Sequence, residues 1–162
     1  MRNATVWAGM FGVENSTVID GVEFEDESES IVVSVRPCKG ATRRCGLCQR
    51  SCPRYDHGEG RRRWRGPDLG LLRSFLEADA PRVTCPEHGV VVASVPWARH
   101  GTRHTKVFED TVAWMATRTS KSTLEVLLRI AWRTVGAIVS RVVAEGVAAR
   151  DLLQGLRRIS DC

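Results

Sequence analysis

The chain has no apolar run of the roughly 20 residues that a membrane-crossing helix needs, so no membrane-embedded role is expected. It also lacks a recognisable secretion signal. Residues 6–13 are apolar, but the stretch is short, carries glycines, and has no small-residue cleavage site after it. These two absences make the cytoplasm the expected compartment. Thiols stay reduced there, and paired cysteines more often hold metal than form disulfides. There is no internal repeat and no low-complexity tract, so neither a solenoid nor a long linker is expected. Lysine is scarce as well: the 24 basic residues include three lysines, and the net charge of +5 is almost all arginine. Arginine suits phosphate and guanine better than lysine does, because its planar fork donates two parallel hydrogen bonds.

With 162 residues, 43% of them hydrophobic, the chain can build one ordinary domain or two small ones around a packed core. The pI of about 9.1 points to nucleic acid more than to a soluble basic protein with no acidic partner.

Six cysteines are present, four of them in or near two short ligand pairs. Cys45-Gly46-Leu47-Cys48 and Cys85-Pro86-Glu87-His88 each separate two soft donors by two residues, the spacing with which a chain grips a tetrahedral zinc ion. The segment between the pairs is longer than the roughly 15–20 residues usual in zinc ribbons, so strands within it would have to pair and bring the knuckles together. Zn is therefore the expected cofactor, with Cys45, Cys48, Cys85 and His88 as ligands. Four protein ligands leave no open position, so the role is structural rather than hydrolytic. Cys38 and Cys52 read as spare thiols, and His57, His100 and His104 as surface histidines.

Before the knuckles, a weak helix signal over residues 5–11 (Trp7, Met10, Phe11) precedes two β-branched runs, 17–24 and 31–36. They flank an acidic turn (Glu25, Asp26, Glu27, Glu29), and together they read as a hairpin. The acidic turn is expected to stand apart from the basic half. Arg61-Arg62-Arg63-Trp64-Arg65 suits a strand with its charges outward. Residues 69–78 fit either helix or strand, and the need to return to Cys85 favours strand. Residues 90–95 make a further strand, ended by Pro96.

From Thr105 the period becomes helical, with Phe108, Thr111, Val112 and Met115 on one face and Val107 and Trp114 adding to it. Ser122-Thr123-Leu124-Glu125 has the form of a capping box, after which Leu124, Leu127 and Leu128 face inward. A third helix carries the core stripe Val135, Ile138, Val139, Val142 and Val143, with Ala131 as a poor N-cap. Three helices with a tight second turn suit a helix-turn-helix. In it Arg133 would read guanine, Thr134 or Arg141 would hold phosphate, and Lys121 and Arg129 would flank the backbone. Arg61, Arg62, Arg63 and Arg65 supply a second basic stretch. The alternative is a plain three-helix bundle with an arginine-decorated surface. The expected fold is α+β: an N-terminal helix and hairpin collar (1–40), a zinc-ribbon-like β domain (41–100), a helix-turn-helix domain (101–150) and a polar tail (151–162).

Several stretches together carry a family resemblance. They are Arg44-Cys45-Gly46-Leu47-Cys48, the run from Tyr55 to Arg65, Cys85-Pro86-Glu87-His88-Gly89-Val90, Val95-Pro96-Trp97-Ala98-Arg99-His100-Gly101, Phe108-Glu109-Asp110-Thr111-Val112-Ala113-Trp114, and Ala131-Trp132-Arg133-Thr134-Val135-Gly136. In combination the chain resembles the N-terminal region of ISL3-family transposases, the enzymes of bacterial insertion sequences. The resemblance implies a zinc-binding domain with ligands at Cys45, Cys48, Cys85 and His88, then a helix-turn-helix, then an RNase H-like catalytic domain. Its implied partner is double-stranded DNA at insertion-sequence ends. A different class of role is assembly with full-length transposase or with itself, as a regulatory module. In the family, a segment like Leu156-Arg157-Arg158-Ile159 leads into the catalytic domain, whereas here the chain continues Ser160-Asp161-Cys162. Asp161 falls outside the family's pattern. The expectation is a truncated, non-catalytic, DNA-binding fragment.

Overall fold

The computed structural model describes residues 2–39 and 42–148. The expected polar tail, including Asp161 and the Leu156–Ile159 segment, lies outside the described residues. The chain divides into two compact units, 1–108 and 109–162.

In the first unit, α1 (Arg2–Phe11) buries Phe11 and half-buries Trp7 and Met10, the three residues whose spacing suggested it. It closes with a Schellman motif: Val13 N–H donates to the Ala8 carbonyl at 2.9 Å and Gly12 N–H to the Gly9 carbonyl at 3.1 Å. Gly12 takes φ +64°, and a Cβ there would lie 2.8 Å from Val107, so glycine is needed for space as well as for conformation.

β1 (Thr17–Glu25) and β2 (Ser30–Pro37) form the expected antiparallel hairpin, with an irregularity between Ile19 and Gly21. β3 (Arg54–Asp56), β4 (Arg61–Arg65) and β5 (Arg73–Asp79) come from the long segment between the ligand pairs. β5 runs parallel to β2 and antiparallel to β4, giving one sheet in the order β1-β2-β5-β4. The hairpin and the insertion thus share a sheet. The register sets Val33, Leu76 and Trp64 in one row, and with Ile31, Val35 and Ala78 they make the core against Phe11 and Trp97. Trp64 meets Trp97 edge to face, with ring centroids 5.6 Å apart at 72°. Fully burying Leu76 or Val33 contributes about 1.5–3 kcal/mol each.

A second sheet takes β3, β6 (Arg82–Cys85) and β7 (Gly89–Val92), in that order. β7 stops at Val92, short of Pro96, because Ala93 turns to bridge Cys45 instead.

The acidic turn does not stand apart from the basic segment. Arg63 donates to both carboxylate oxygens of Glu25, at 2.7 and 3.0 Å, and to Glu77 at 2.7 Å. His104 is not a plain surface histidine: it is half-buried and stacks on Phe108 with ring centroids 5.3 Å apart.

α2 (Lys106–Ala116) starts behind Thr105, whose hydroxyl accepts from Phe108 N–H at 3.3 Å. In the second unit it buries Glu109 and Val112, while Thr111 and Trp114 are exposed, so the inward face is rotated from the expected one. The N-cap of α3 (Lys121–Leu128) lies two residues before the expected one, Ser122. Ser120 is the N-cap and accepts from Thr123 N–H at 3.2 Å. Of the three leucines expected inward, Leu124 is buried and Leu128 half-buried, while Leu127 is 56% exposed. α4 (Trp132–Ala148) follows a turn through Arg129, which caps α3 in the left-handed conformation (φ 52°). Ala131 does occupy the N-cap position of α4, its carbonyl accepting from Thr134 and Val135. Val135 and Ile138 are buried, Val139 and Val142 half-buried, and Val143 is exposed, so the apolar stripe is wider than the face that α4 buries.

Candidate metal centre and nucleic-acid interface

Both knuckles are turns held by backbone. Cys45 N–H donates to the Arg50 carbonyl and Gln49 N–H to the Cys45 carbonyl, closing the first loop. The second is the tip of the β6–β7 hairpin, where Cys85 pairs with Gly89 and Gly89 takes φ +66°. The Cys45–Ala93 bridge joins the first knuckle to the end of β7. The insertion that made the spacing long loops away into the other sheet and returns through β6.

The four expected ligand atoms lie within 4.8 Å of one another. A tetrahedral zinc with Zn–S near 2.3 Å and Zn–N near 2.0 Å needs S···S edges of about 3.8 Å and S···N edges of about 3.6 Å. Cys48 Sγ and Cys85 Sγ are 3.7 Å apart, and His88 Nδ1 lies 3.8 Å from Cys45 Sγ and 3.5 Å from Cys85 Sγ. Nδ1 is therefore the imidazole atom that faces the sulfurs. The Leu47 N–H points at Cys45 Sγ from 3.4 Å, a stabilising donor for a thiolate.

Burial pushes the Cys85 thiol up, but bonds from His88 and from the backbone of Glu87 and His88 outweigh it, leaving a pKa of about 6. Cys48 moves the other way: a backbone bond at Arg50 lowers it, but burial and the neighbouring Cys45 and Cys85 sulfurs raise it further. Crowded thiols that resist joint ionisation are stabilised by a cation among them, so the donor set fits a metal ion.

Cys52 is buried against Cys45, Cys85, Val83 and Ala93, so it packs beside the centre although it does not belong to the four-donor group. Burial and the Cys85 sulfur raise its thiol, as suits a protonated neighbour. Cys38 is half-buried. Gly46 has a local reason that its place in the motif does not reveal. A Cβ there would sit 2.2 Å from His100 Nδ1 and 2.7 Å from the Val92 carbonyl oxygen.

The residues expected at nucleic acid fall into two groups. Arg61 and Arg63 are exposed on β4 but pair with Glu77, and Arg63 also with Glu25, which holds its guanidinium far above the ordinary range. Arg65 is buried, bonds Asp68 at 2.8 Å and lies over the Phe108 ring, so its charge does not point outward as the strand pattern suggested. Arg141 on α4 donates to Glu109, whose carboxylate is fully buried. These four charges are compensated within the chain.

Arg62 is exposed, with Glu59 at 4.0 Å. In the second unit Lys121, Arg129 and Arg133 are exposed and Thr134 is half-buried. Arg133 continues outward with Ala137, Ser140 and Ala144 at i+4, i+7 and i+11, a polar-to-small strip opposed to the buried Val135 and Ile138. Glu109 was missed in the sequence. Its signal was its place beside Val112 on the helical wheel, where a carboxylate is buried only if a cation meets it.

Residues 41–88 match the family model described as the zinc-finger of transposase IS204/IS1001/IS1096/IS1165, and residues 93–143 match the helix-turn-helix domain of transposase family ISL3. The chain is 48% identical over 163 aligned positions to the transposase for insertion sequence element IS1557 of Mycobacterium tuberculosis, in both the CDC 1551 / Oshkosh and the ATCC 25618 / H37Rv strains. The match takes in 98% of this chain and spans 37% of the length of each of those relatives. No solved structure matches it. No helix among the described residues is long and apolar enough to cross a membrane. With a zinc-finger model on the knuckles, a helix-turn-helix model on the helices that follow, and near-half identity along the chain, this protein belongs to the ISL3 transposase family and carries its N-terminal region.

Proposed function

We propose that the chain is a zinc-stabilised module that binds duplex DNA at the ends of an insertion sequence. Zinc, held by Cys45, Cys48, Cys85 and His88 Nδ1, would clamp the two knuckles and hold the β3-β6-β7 sheet in shape. It supplies structure rather than chemistry, because all four positions are protein donors. In the helical unit α4 is the recognition helix. Arg133, in its first turn, has the fork for guanine O6 and N7. Thr134, Lys121 and Arg129 contact phosphates and fix the register, and Arg62 adds an exposed cation in the first unit. Arg61, Arg63, Arg65 and Arg141 serve the fold through their ion pairs.

The observation that carries this reading is the exposed Arg133 at the start of α4, on a strip of small residues that lets the helix approach a groove. The test is retardation of terminal-repeat duplex by the chain before and after chelation. Binding that weakens with salt and is lost when zinc is removed supports the reading. Binding indifferent to zinc removal contradicts the structural role of the metal.

A second reading, assembly with full-length transposase or another copy, is favoured by the outer face of α3. There Val126 is 80% and Leu127 56% exposed. Pull-down of full-length transposase without DNA separates it from the first.

A further inference from the structure

The arginine-richest strand is not where the first unit presents uncompensated charge. On β4, Arg61 and Arg63 face Glu77 and Glu25, two guanidinium groups against two carboxylates. One cluster of the charge that remains lies at the base of the first knuckle and on β3. Arg43, Arg44 and Arg54 are all exposed, and among the described residues none has a carboxylate partner.

The backbone gathers them. The Arg43 carbonyl accepts from Cys52 N–H at 2.9 Å, Arg44 bridges Ser51, and Arg54 follows two residues after Cys52. Arg44 Nη1 is steadied by the Gln49 carbonyl at 3.0 Å. Arg54 Nη2 donates to His57 Nδ1 at 2.6 Å, a neutral acceptor that orients the guanidinium without neutralising it. The neighbouring carboxylate, Asp56, is taken by Arg82, which bonds both its oxygens. Arg82 also lies 5.4 Å from the centroid of the exposed Tyr55 ring. Three exposed cations, two of them with oriented guanidinium groups, beside an exposed phenol and next to the first knuckle have the donor chemistry of a phosphate-tracking surface.

We infer that Arg43, Arg44 and Arg54, with Tyr55, form a second DNA contact on the zinc unit that grips the phosphate backbone of the duplex without reading its sequence. The inference rests on the proposed binding of duplex DNA by this chain. The guanidinium groups position the duplex and Tyr55 donates its hydroxyl to a phosphate oxygen.

The test is fluorescence anisotropy of the full chain with a terminal-repeat duplex and a shuffled duplex across a salt series. Wild type is compared with Arg43→Gln/Arg54→Gln and with Arg63→Gln, and zinc content is measured in each. Each lost phosphate contact lowers the log–log salt slope by about 0.9, so the double variant should lose about 1.8 and weaken on both duplexes alike. Arg63→Gln should keep the wild-type slope. A double variant with one zinc per chain and an unchanged slope overturns the inference, as does an equal loss from Arg63→Gln. Failure of the wild type to bind either duplex overturns the underlying DNA reading instead. If the double variant loses its zinc, Tyr55→Phe replaces it: weaker binding to both duplexes with zinc retained supports the inference, and unchanged binding overturns it.

Discussion

Replacing Arg141 separates its role in the fold from a role at DNA. Its guanidinium meets Glu109, and the Glu109 side chain is fully buried, whereas Arg141 keeps 33% of its side chain exposed. Removing the cation takes a counter-charge away from a carboxylate in the interior. That costs about 3–5 kcal/mol for a buried pair. Because Arg141 is one-third exposed and water already shares its charge, the lower end, about 3 kcal/mol, is the expected loss for Arg141→Gln. A small domain has roughly 5–15 kcal/mol in total, so the helical unit should be visibly weakened. Glu109→Gln/Arg141→Gln removes both charges and should recover much of the loss. The assay is urea denaturation of the full chain, followed by circular dichroism and by the fluorescence of Trp114 and Trp132. The refolded double variant should also bind DNA with the wild-type salt slope, since Arg141 is occupied by Glu109. A single variant that loses under about 1 kcal/mol would refute the reasoning. So would a stable double variant whose salt slope drops by about 0.9, because that is the signature of a phosphate contact.

Two further perturbations address the metal-bearing unit. Gly46→Ala places a methyl against the Val92 carbonyl oxygen, at 2.7 Å, and against His100. Backbone has to shift at the first knuckle, so zinc should be lost to a competing chelator faster than from wild type; equal retention would contradict the packing argument. Asp56 is held at a pKa of about 2 by its bonds to Arg82, below the ordinary 3.8. A depressed carboxylate stabilises above its unfolded pKa and loses that contribution as pH falls through the folded value. The stability difference between wild type and Asp56→Asn should therefore be constant above 3.8 and shrink towards pH 2. A difference independent of pH would mean that the Arg82 pair is not its source.

What the sequence revealed follows from range. The ligand pairs are local, two residues apart within each knuckle, and hairpin alternation and helical period are local too. The assignment of β5 as a strand depended on one longer argument, the need to return to Cys85, and it holds. The ion pairs were not legible, because Arg63 meets Glu25 across 38 positions and Arg141 meets Glu109 across 32. An arginine run reads as a free basic patch until its partners are placed, and here the fold pairs Arg61, Arg63 and Arg65 while leaving Arg43, Arg44 and Arg54 open. The α3 start was misplaced by a different cause. Ser122 with Glu125 fits a capping box, but Ser120 captures Thr123 N–H first, and the helix begins there.

The central claim is that α4 reads DNA sequence through Arg133. Its most direct test is the affinity of the zinc-loaded chain for a terminal-repeat duplex relative to a shuffled duplex at one salt concentration, in wild type and in Arg133→Ala. The wild type should prefer the terminal repeat, and Arg133→Ala should lose about 1–3 kcal/mol of that preference while still binding both duplexes. Equal wild-type affinity for the two duplexes, or a preference untouched by Arg133→Ala, would contradict it.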